Sequence, residues 1–505
     1  MTAAPLIGVD VSTTAVKACA WDAAGRPLGE ARAALPLARP GPHRYEQDPE
    51  DWWRALAGTL RALAPRLPGP PAALAIAHQR ETFVPVDAAG RALHPALLWL
   101  DRRGAPWVEG LHRDLPAEHL RALSGKTPNY GPALYKIAWL AAERPQAFRA
   151  AAGFCDVQAW LAERLTGRRA TSWSGADPLG LLDLRTLAWS EAICRLVNVQ
   201  PAQLPEVLAP GEPIGALHAE AAAATGLPAG TPLVAGGGDG QCAGLGVAAL
   251  DNGRLYLNLG TAVVAGAWSR TPEVSPRWRT LTAGAGRGYY LESSLRSGAL
   301  LSDWLLKRVA GLDPVRDREA LAALEAEAAA LPPGGHGVLL LPYWEGVMNP
   351  HWDDAARGAV LGLSDADDRA SLYRAVVEGV ALEQAGFLAA LRDEAGLAPR
   401  EAVAIGGPAA SDLWCRVHAD ALDLPVRRQP GLEAAALGAA VCAAVGAGLH
   451  PDLETAAAAM APRGGDVFTP APDAASAYAR LRGVHQRIYG TLAPLLRELD
   501  PRPQP

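Results

Sequence analysis

Two short apolar runs open the chain, residues 6–10 (LIGVD) and 15–21 (AVKACAW), and between them stand Ser12, Thr13 and Thr14. Their length and apolar content predict two strands joined through a hydroxyl-rich turn. Residues 22–26, DAAGR, follow as a turn in which Gly25 suits a positive φ. From 49 to 63 the spacing changes: Trp52, Trp53, Leu56, Leu60 and Leu63 recur at helical intervals. Residues 74–77 and 83–86 read as further strands, and the pentad DAAGR returns at 87–91. A helical run covers 217–225 and an apolar strand 232–235. Two long stretches lack charge, 221–238 and 434–449. Pro and Gly break the first. The second is Ala- and Gly-rich and too short to span a bilayer, so it is expected as a close-packed buried helix. Strand–turn–strand pieces followed by helices predict a mixed α/β architecture.

The same pattern occurs twice. VDVSTTAVKACAW (9–21) aligns with LNLGTAVVAGAW (257–268), so that Asp10 falls on Asn258, Ser12 on Gly260 and Thr13 on Thr261. Each is an apolar hairpin with a small or hydroxyl-bearing turn, and each opens one half of the chain. We expect two related α/β domains, residues 1–249 and 250–499, followed by a frayed Pro-rich tail at 500–505.

Composition narrows the function classes. The net charge of −6 gives no reason to expect nucleic acid as a partner. The six cysteines are scattered, with no CxxC spacing, which argues against a zinc site or a disulfide framework. Nothing at the N-terminus resembles a signal peptide, so a cytoplasmic protein with no membrane partner is expected. Lysine occurs only at 17, 126, 136 and 307, which draws notice to Lys17 beside the first turn.

Four segments combine residue types that chemistry needs. The first turn offers backbone N–H groups and hydroxyls, as a phosphate cradle does, and Asp10 beside it could hold a hydrated Mg²⁺. A purely structural Thr-rich turn is the alternative. In VAGGGDGQCAG (234–244) the three glycines allow bending and close approach. They leave Asp239 at the end of the strand, where functional carboxylates of α/β folds gather. HQRET (78–82) places Arg80 and Glu81 side by side, supplying donors and acceptors suited to vicinal hydroxyls, or else forming an ordinary surface ion pair. In LLWLDRR (97–103), Trp99 could lie against the carbon face of a sugar, although core packing is its commoner role. In AIGGPAASDLWCRVHADALDLPV (404–426) a strand meets Gly406-Gly407 and then a helix capped near Ser411, an arrangement that allows close approach of a nucleotide.

Taken in order, these motifs resemble the FGGY carbohydrate kinases, which include xylulokinase and glycerol kinase. The resemblance spans nearly the whole chain. It rests on GVDVSTTAVKA, EQDPEDWW, HQRET, LLWLDRR, AGGGDGQCAGLG, NLGTA, PYWEGVMNPHWDDAARG, GGPAASDLWCRVHADALDLPV and EAAALGAA. It implies two actin-like (ribonuclease H-like) domains with a catalytic cleft between them, ATP lying mainly on the second and the sugar on the first. Asp239 then matches the general base. Asp10, with Asp239, matches the pair that would hold Mg²⁺ through water. Ser12, Thr13, Thr14 and Lys17 match the first phosphate loop, and Gly260 and Thr261 the second. Gly298, Gly406, Gly407 and Ser411 match nucleotide contacts, and Arg80, Glu81, Trp99 and Tyr130 match polyol contacts. Dimers are common among such enzymes, so a homodimer is expected.

The chain departs from the family at three places. Ser12 replaces the glycine of the usual DxGT loop, and is either strained there or a further phosphate donor. Val347-Met348 stand where many relatives carry Glu-Arg, and Arg416 replaces a usual glutamine. The expected activity is transfer of the γ-phosphoryl of ATP to a terminal hydroxyl of a small open-chain sugar or polyol. A xylulokinase-like pentulose or pentitol acceptor comes first, with glycerol or erythritol as the alternative. Two rivals from other classes are a non-catalytic sugar-responsive protein on the same fold and an actin-like ATPase.

Overall fold

The computed structural model describes residues 4–499. The tail expected at 500–505 lies outside the described residues. The first sheet is built from β1 (Leu6–Val11), β2 (Ala15–Trp21), β3 (Pro27–Ala34), β4 (Ala73–His78), β5 (Pro213–Ala216) and β6 (Pro232–Gly238). Their order across the sheet is β5-β6-β4-β1-β2-β3. The strand pair β1–β2 is antiparallel, whereas β4 runs parallel to β1 and β6 parallel to β4. The second sheet takes β7 (Arg254–Leu259), β8 (Val263–Ser269), β9 (Arg279–Thr282), β10 (Tyr289–Leu295), β11 (Glu401–Ile405), β12 (Val426–Arg428) and β13 (Val467–Phe468). Its order is β9-β10-β8-β7-β11-β12-β13, with β7–β8 antiparallel and β11 parallel to β7. The repeat read in the sequence is therefore a repeat of topology: an antiparallel hairpin whose first strand gains a parallel neighbour on its other edge. The second turn is one residue shorter, because Val11 pairs with Val16 but Leu259 with Val263.

Both faces of β1 are buried, so the strand reads as a continuous apolar run rather than an alternation. Ile7, Val9 and Val11 face a core shared with Trp52, Leu56, Leu60 and Leu63 of α1 (Pro49–Leu63) and with Trp160 and Leu161 of α2 (Val157–Thr166). Asp48 caps α1, accepting from the Glu50 amide. On the opposite face, Leu6 joins Cys242 and Leu245 of α3 (Asp239–Gly246). Beyond the second sheet, Leu255, Leu257 and Leu259 pack with Val376 and Val380 of α4 (Arg369–Ala395) and with Trp414 of α5 (Asp412–Leu422).

The expected buried helix at 434–449 is observed as α6 (Ala434–Gly446), and its position is the main finding about the fold. It belongs to the second half of the chain, yet it packs on β1, β4 and β6 and on α3. Small residues make this possible. A Cβ on Gly8 would lie 1.8 Å from the Ala436 carbonyl oxygen, and one on Gly438 would lie 1.9 Å from that of Cys242. Helices α3 and α6 thus form one layer between the two sheets, in a core that also takes Tyr256, Trp268, Val403 and Ile405 from the second sheet. Residues 79–212, between β4 and β5, build a smaller core around Phe83, Leu97, Tyr135, Trp139 and Phe154. The two DAAGR turns are the same device: Asp22 and Asp87 each accept from the amides two and four residues on, and Gly25 and Gly90 share a φ of 76°. All six cysteines are free and buried. Among the described residues, no helix is long and apolar enough to cross a membrane.

Candidate active site

Strands β1, β4 and β6 run the same way, so their C-terminal ends share one edge of the sheet. Asp10 is the penultimate residue of β1, His78 the last of β4, and Asp239 follows β6 as the first residue of α3. The glycines before Asp239 do not end the strand as expected. They belong to it, and close approach explains them better than a turn. A Cβ on Gly236 would lie 2.1 Å from the Ile76 carbonyl oxygen, one on Gly237 2.0 Å from Ser174 Oγ, and one on Gly238 2.7 Å from Arg80 Cγ. The register between β6 and β4 also slips between Val234 and Gly237.

Asp239 Oδ1 accepts from the Gly240 amide at 2.7 Å and forms a salt bridge with Arg80, 3.0 Å from its Nε, while the side chain is 40% exposed. Asp10 is buried, and its Oδ1 has no hydrogen-bond partner among the described residues. Burial, and next the charge of Asp239, push its carboxyl up to about 7, against the partial relief given by Lys17. An orphaned buried carboxylate beside a second carboxylate is the environment a divalent cation would relieve. Among the described residues no cluster of three or more His, Cys, Asp or Glu could hold a metal by itself. The donor set therefore suits Mg²⁺ carried in with phosphate oxygens and water.

The first turn differs from expectation at two residues. Ser12 is not in the left-handed region, so no strain follows from its replacing a glycine. Its Oγ donates to the Ala15 carbonyl at 2.9 Å, which commits its only proton to the turn rather than to a ligand. Lys17 lies opposite Asp10 in the β1–β2 register, but its Nζ is held by both oxygens of Glu433 at 2.7 and 2.8 Å. It clamps the turn to the start of α6. Thr14 is exposed, and its carbonyl accepts from the Leu35 amide. Thr13 Oγ1 receives Trp99 Nε1 at 2.9 Å, and its carbonyl receives Gln47 Nε2 at 2.7 Å. Trp99 thus ties the expected sugar segment to the expected phosphate loop.

Arg80 and Glu81 are buried, not a surface pair. Arg80 Nη1 lies 2.8 Å from Glu292 Oε2, and Glu81 Oε1 accepts from Arg279 Nη1 at 2.7 Å. Arg279 Nη2 pairs in turn with Glu292 Oε1, and the Tyr256 hydroxyl donates to Glu292 Oε2 at 2.6 Å. Glu81 is held at φ 62°, a strained conformation for a non-glycine residue and the kind found at functional sites. Tyr130 is buried between two guanidiniums, with Arg102 Cζ 5.1 Å and Arg296 Cζ 4.6 Å from its ring centre. Arg296 pairs with Asp354 at 2.6 Å. Tyr256, Arg279, Glu292 and Arg296 escaped sequence reasoning because no local pattern marks them: their roles come from contacts with residues distant in sequence.

The second turn gathers the remaining expected residues. The Gly298 amide donates to the Thr261 carbonyl and the Ala299 amide to that of Gly260, each at 2.9 Å. Gly406, at φ 90°, backs onto the same turn: a Cβ there would lie 2.4 Å from the Leu259 carbonyl oxygen. Thr261 and Gly407 are exposed, and nothing lies within 4 Å of where a Gly407 Cβ would be. Ser411 caps α5, its Oγ accepting from the Trp414 amide. Arg416 donates to the Thr469 carbonyl and lies over Phe468, away from this turn.

Comparison with known proteins bears directly on this arrangement. The model of the N-terminal domain of the FGGY family of carbohydrate kinases matches residues 6–246, and that of the C-terminal domain matches residues 255–447. The chain belongs to the FGGY family of carbohydrate kinases. It is 34% identical over 463 residues to a glycerol kinase of Rhodospirillum centenum, covering 89% of this chain and 90% of that protein. It is 31% identical over 498 residues to a xylulose kinase of Escherichia coli, covering 97% and 99%. Among solved structures it resembles a xylulose kinase from Rhodospirillum rubrum, with a TM-score of 0.89 and 29% identity over 97% of this chain and 99% of that one.

Family membership makes this chain an FGGY carbohydrate kinase with one mixed α/β domain in each half. Within that frame, Val347 and Met348, which stand where many FGGY members carry charges, are both buried. Beside this pair, Arg296 Nη1 donates to the Glu345 carbonyl at 3.1 Å and Arg102 Nη2 lies 3.4 Å from the Glu345 carboxylate. A pocket of about 560 Å³, lined by Trp21, Glu30, Leu432, Glu433 and Met460 among others, flanks the domain junction. It takes Glu433 and Leu437 from the EAAALGAA segment, but Asp10, Thr13, Arg80, Glu81 and Asp239 do not line it.

Proposed function

We propose that this FGGY kinase transfers the γ-phosphoryl of ATP to a terminal hydroxyl of a small open-chain sugar or polyol. The observation that carries the proposal is the meeting of Asp10, Asp239, the Arg80–Glu81 pair and Thr13 at the ends of β1, β4 and β6. Phosphoryl transfer passes through a loose transition state, so the protein mainly positions the reactants and stabilises charge. Asp239 Oδ1 is occupied by Arg80 and its own helix, and the half-exposed carboxylate takes the acceptor's proton as the hydroxyl attacks phosphorus. Arg80 and Glu81 orient the neighbouring hydroxyls, and Trp99 and Tyr130 flank the carbon chain. The Thr261 amide of the second turn and the Thr13 and Thr14 amides of the first are offered to the phosphates, the Gly260 and Ser12 amides being donated within their own turns to Ala262 and Ala15, and Gly298, Gly406, Gly407 and Ser411 border the nucleoside. Mg²⁺ would be held by Asp10 and Asp239 through water, and when bound it supplies charge neutralisation on the phosphate oxygens.

For the acceptor we favour a pentulose or pentitol, with glycerol or erythritol as the alternative. Whole-length similarity to xylulose kinases supports the first, and the HQRET string with similarity to glycerol kinases supports the second. Purified protein, ATP and Mg²⁺ assayed with D-xylulose, L-ribulose, xylitol, erythritol and glycerol is the test. ADP formation that depends on one of the five-carbon acceptors supports the reading. Equal ADP formation with and without acceptor sinks it in favour of an ATPase, and no ADP formation at all favours a non-catalytic sugar-responsive protein.

A further inference from the structure

A line of alternating charges crosses the domain junction behind the acceptor site. It runs from Asp239 to Arg80 at 3.0 Å, from Arg80 to Glu292 at 2.8 Å, from Glu292 to Arg279, and from Arg279 to Glu81 at 2.7 Å. Arg80, Glu81 and Asp239 come from the first half of the chain. Glu292 and Arg279 come from the second, on β10 and β9, directly opposite one another in the register. The Glu292 side chain is 0% exposed, and its carboxyl is held down at about 2 because Arg80 and Arg279 together outweigh the effect of burial. It is therefore a full negative charge at any working pH.

Arg80 has little freedom. Its guanidinium lies over the start of α3, where a Cβ on Gly240 would be 2.9 Å from Arg80 Cζ and one on Gly238 2.7 Å from its Cγ. It serves two carboxylates through different nitrogens, Nε to Asp239 and Nη1 to Glu292. Glu292 also anchors Arg279, whose other arm holds Glu81. Strand β9 is itself fixed to the first half: Lys126 Nζ donates to the Thr280 carbonyl at 2.9 Å, and Asp177 accepts from the Thr282 amide at 2.8 Å.

We infer that Glu292, backed by Arg279, is a positioning residue: from the nucleotide-side domain it sets the geometry of Arg80 and Glu81, and through Arg80 that of the Asp239 carboxylate. The acceptor site is then complete only across both halves. This inference rests on the kinase reading given above. Without the Glu292 charge, the buried guanidinium of Arg80 has Asp239 as its nearest anion and closes on it, engaging the oxygens that must receive the proton. Arg279 loses its main partner and draws Glu81 away from the acceptor.

The test is Glu292→Gln, which keeps shape and removes charge. Glu292→Asp accompanies it, keeping the charge but withdrawing it by one methylene, in case the first variant does not fold. Steady-state kinetics with the best acceptor of the wild-type protein, together with a thermal melt, give the readout. Glu292→Gln is expected to lower kcat at least ~30-fold, toward the range lost with a general base. It should raise the acceptor KM and leave the ATP KM within about twofold, because the partners of Glu292, namely Arg80, Arg279 and Tyr256, are not among the residues proposed to hold the nucleotide. Glu292→Asp should lower kcat by a smaller factor with the same split. A folded variant of either kind with wild-type kcat overturns the inference, as does a parallel loss in kcat and ATP KM that tracks the melting temperature. A wild-type protein with no acceptor-dependent turnover would instead refute the kinase reading.

Discussion

Replacing Asp10 by Asn removes a charge that the metal-free fold holds unfavourably. The folded carboxyl titrates near 7, against an ordinary value of 3.8, because burial and the Asp239 charge both oppose ionisation. Below 3.8 the carboxyl is protonated in both folded and unfolded chains, and it does not bias folding. Between 3.8 and about 7 the unfolded chain releases its proton while the folded one keeps it, so stability falls as pH rises through that window. Above 7 the full penalty is present. About three pH units at ~1.4 kcal/mol each set the penalty at up to about 4 kcal/mol. Asn carries no such penalty. In EDTA the Asp10→Asn protein should therefore melt several degrees above wild type at pH 8, and the gap should shrink by more than half at pH 4.5. Adding Mg²⁺ with ATP should stabilise wild type more than the variant, which keeps the nucleotide contacts but lacks the Asp10 charge. A variant no more stable than wild type at pH 8 in EDTA, or one whose advantage is the same at both pH values, would refute the reasoning that Asp10 is an unsatisfied, cation-awaiting charge.

The packing of α6 on α3 predicts that Gly438→Ala costs more than the ~1–3 kcal/mol usual for overpacking, because its Cβ would meet the Cys242 backbone at 1.9 Å. Gly407→Ala, with open space at that Cβ, should leave the melting curve unchanged. Ser12→Gly should leave the ATP KM within about twofold, since the Ser12 hydroxyl is already donated to Ala15. A tenfold rise, the loss typical of a hydrogen bond to a charged ligand, would make that hydroxyl a phosphate donor after all.

The strand pair at the N-terminus, its counterpart at 254–269, the helix 49–63 and the cap at Ser411 were legible because each follows from local periodicity or local hydrogen bonding. The placement of Asp239 at a strand end was also legible from the three glycines before it, although these serve contact with Ile76, Ser174 and Arg80 rather than a bend. What local pattern does not carry is pairing across the chain. Lys17 looked like a ligand group until Glu433, 416 residues away, appeared as its partner. Arg80 and Glu81 looked like a self-contained pair, but each is held by a residue from the second half. Nothing local in LLWLDRR marks the bond from the Trp99 indole N–H to Thr13, 86 residues away. Sequence order names these residues, and tertiary contact decides which charges neutralise which.

The central claim, that Asp239 takes the proton from an acceptor hydroxyl, is tested most directly by Asp239→Asn. Acceptor-dependent turnover and ATP affinity should be measured on the same preparation. The account predicts a fall in kcat of roughly 10²–10⁴, the usual contribution of a general base, with the Kd for ATP within about threefold of wild type. Near-normal turnover in that variant would contradict it.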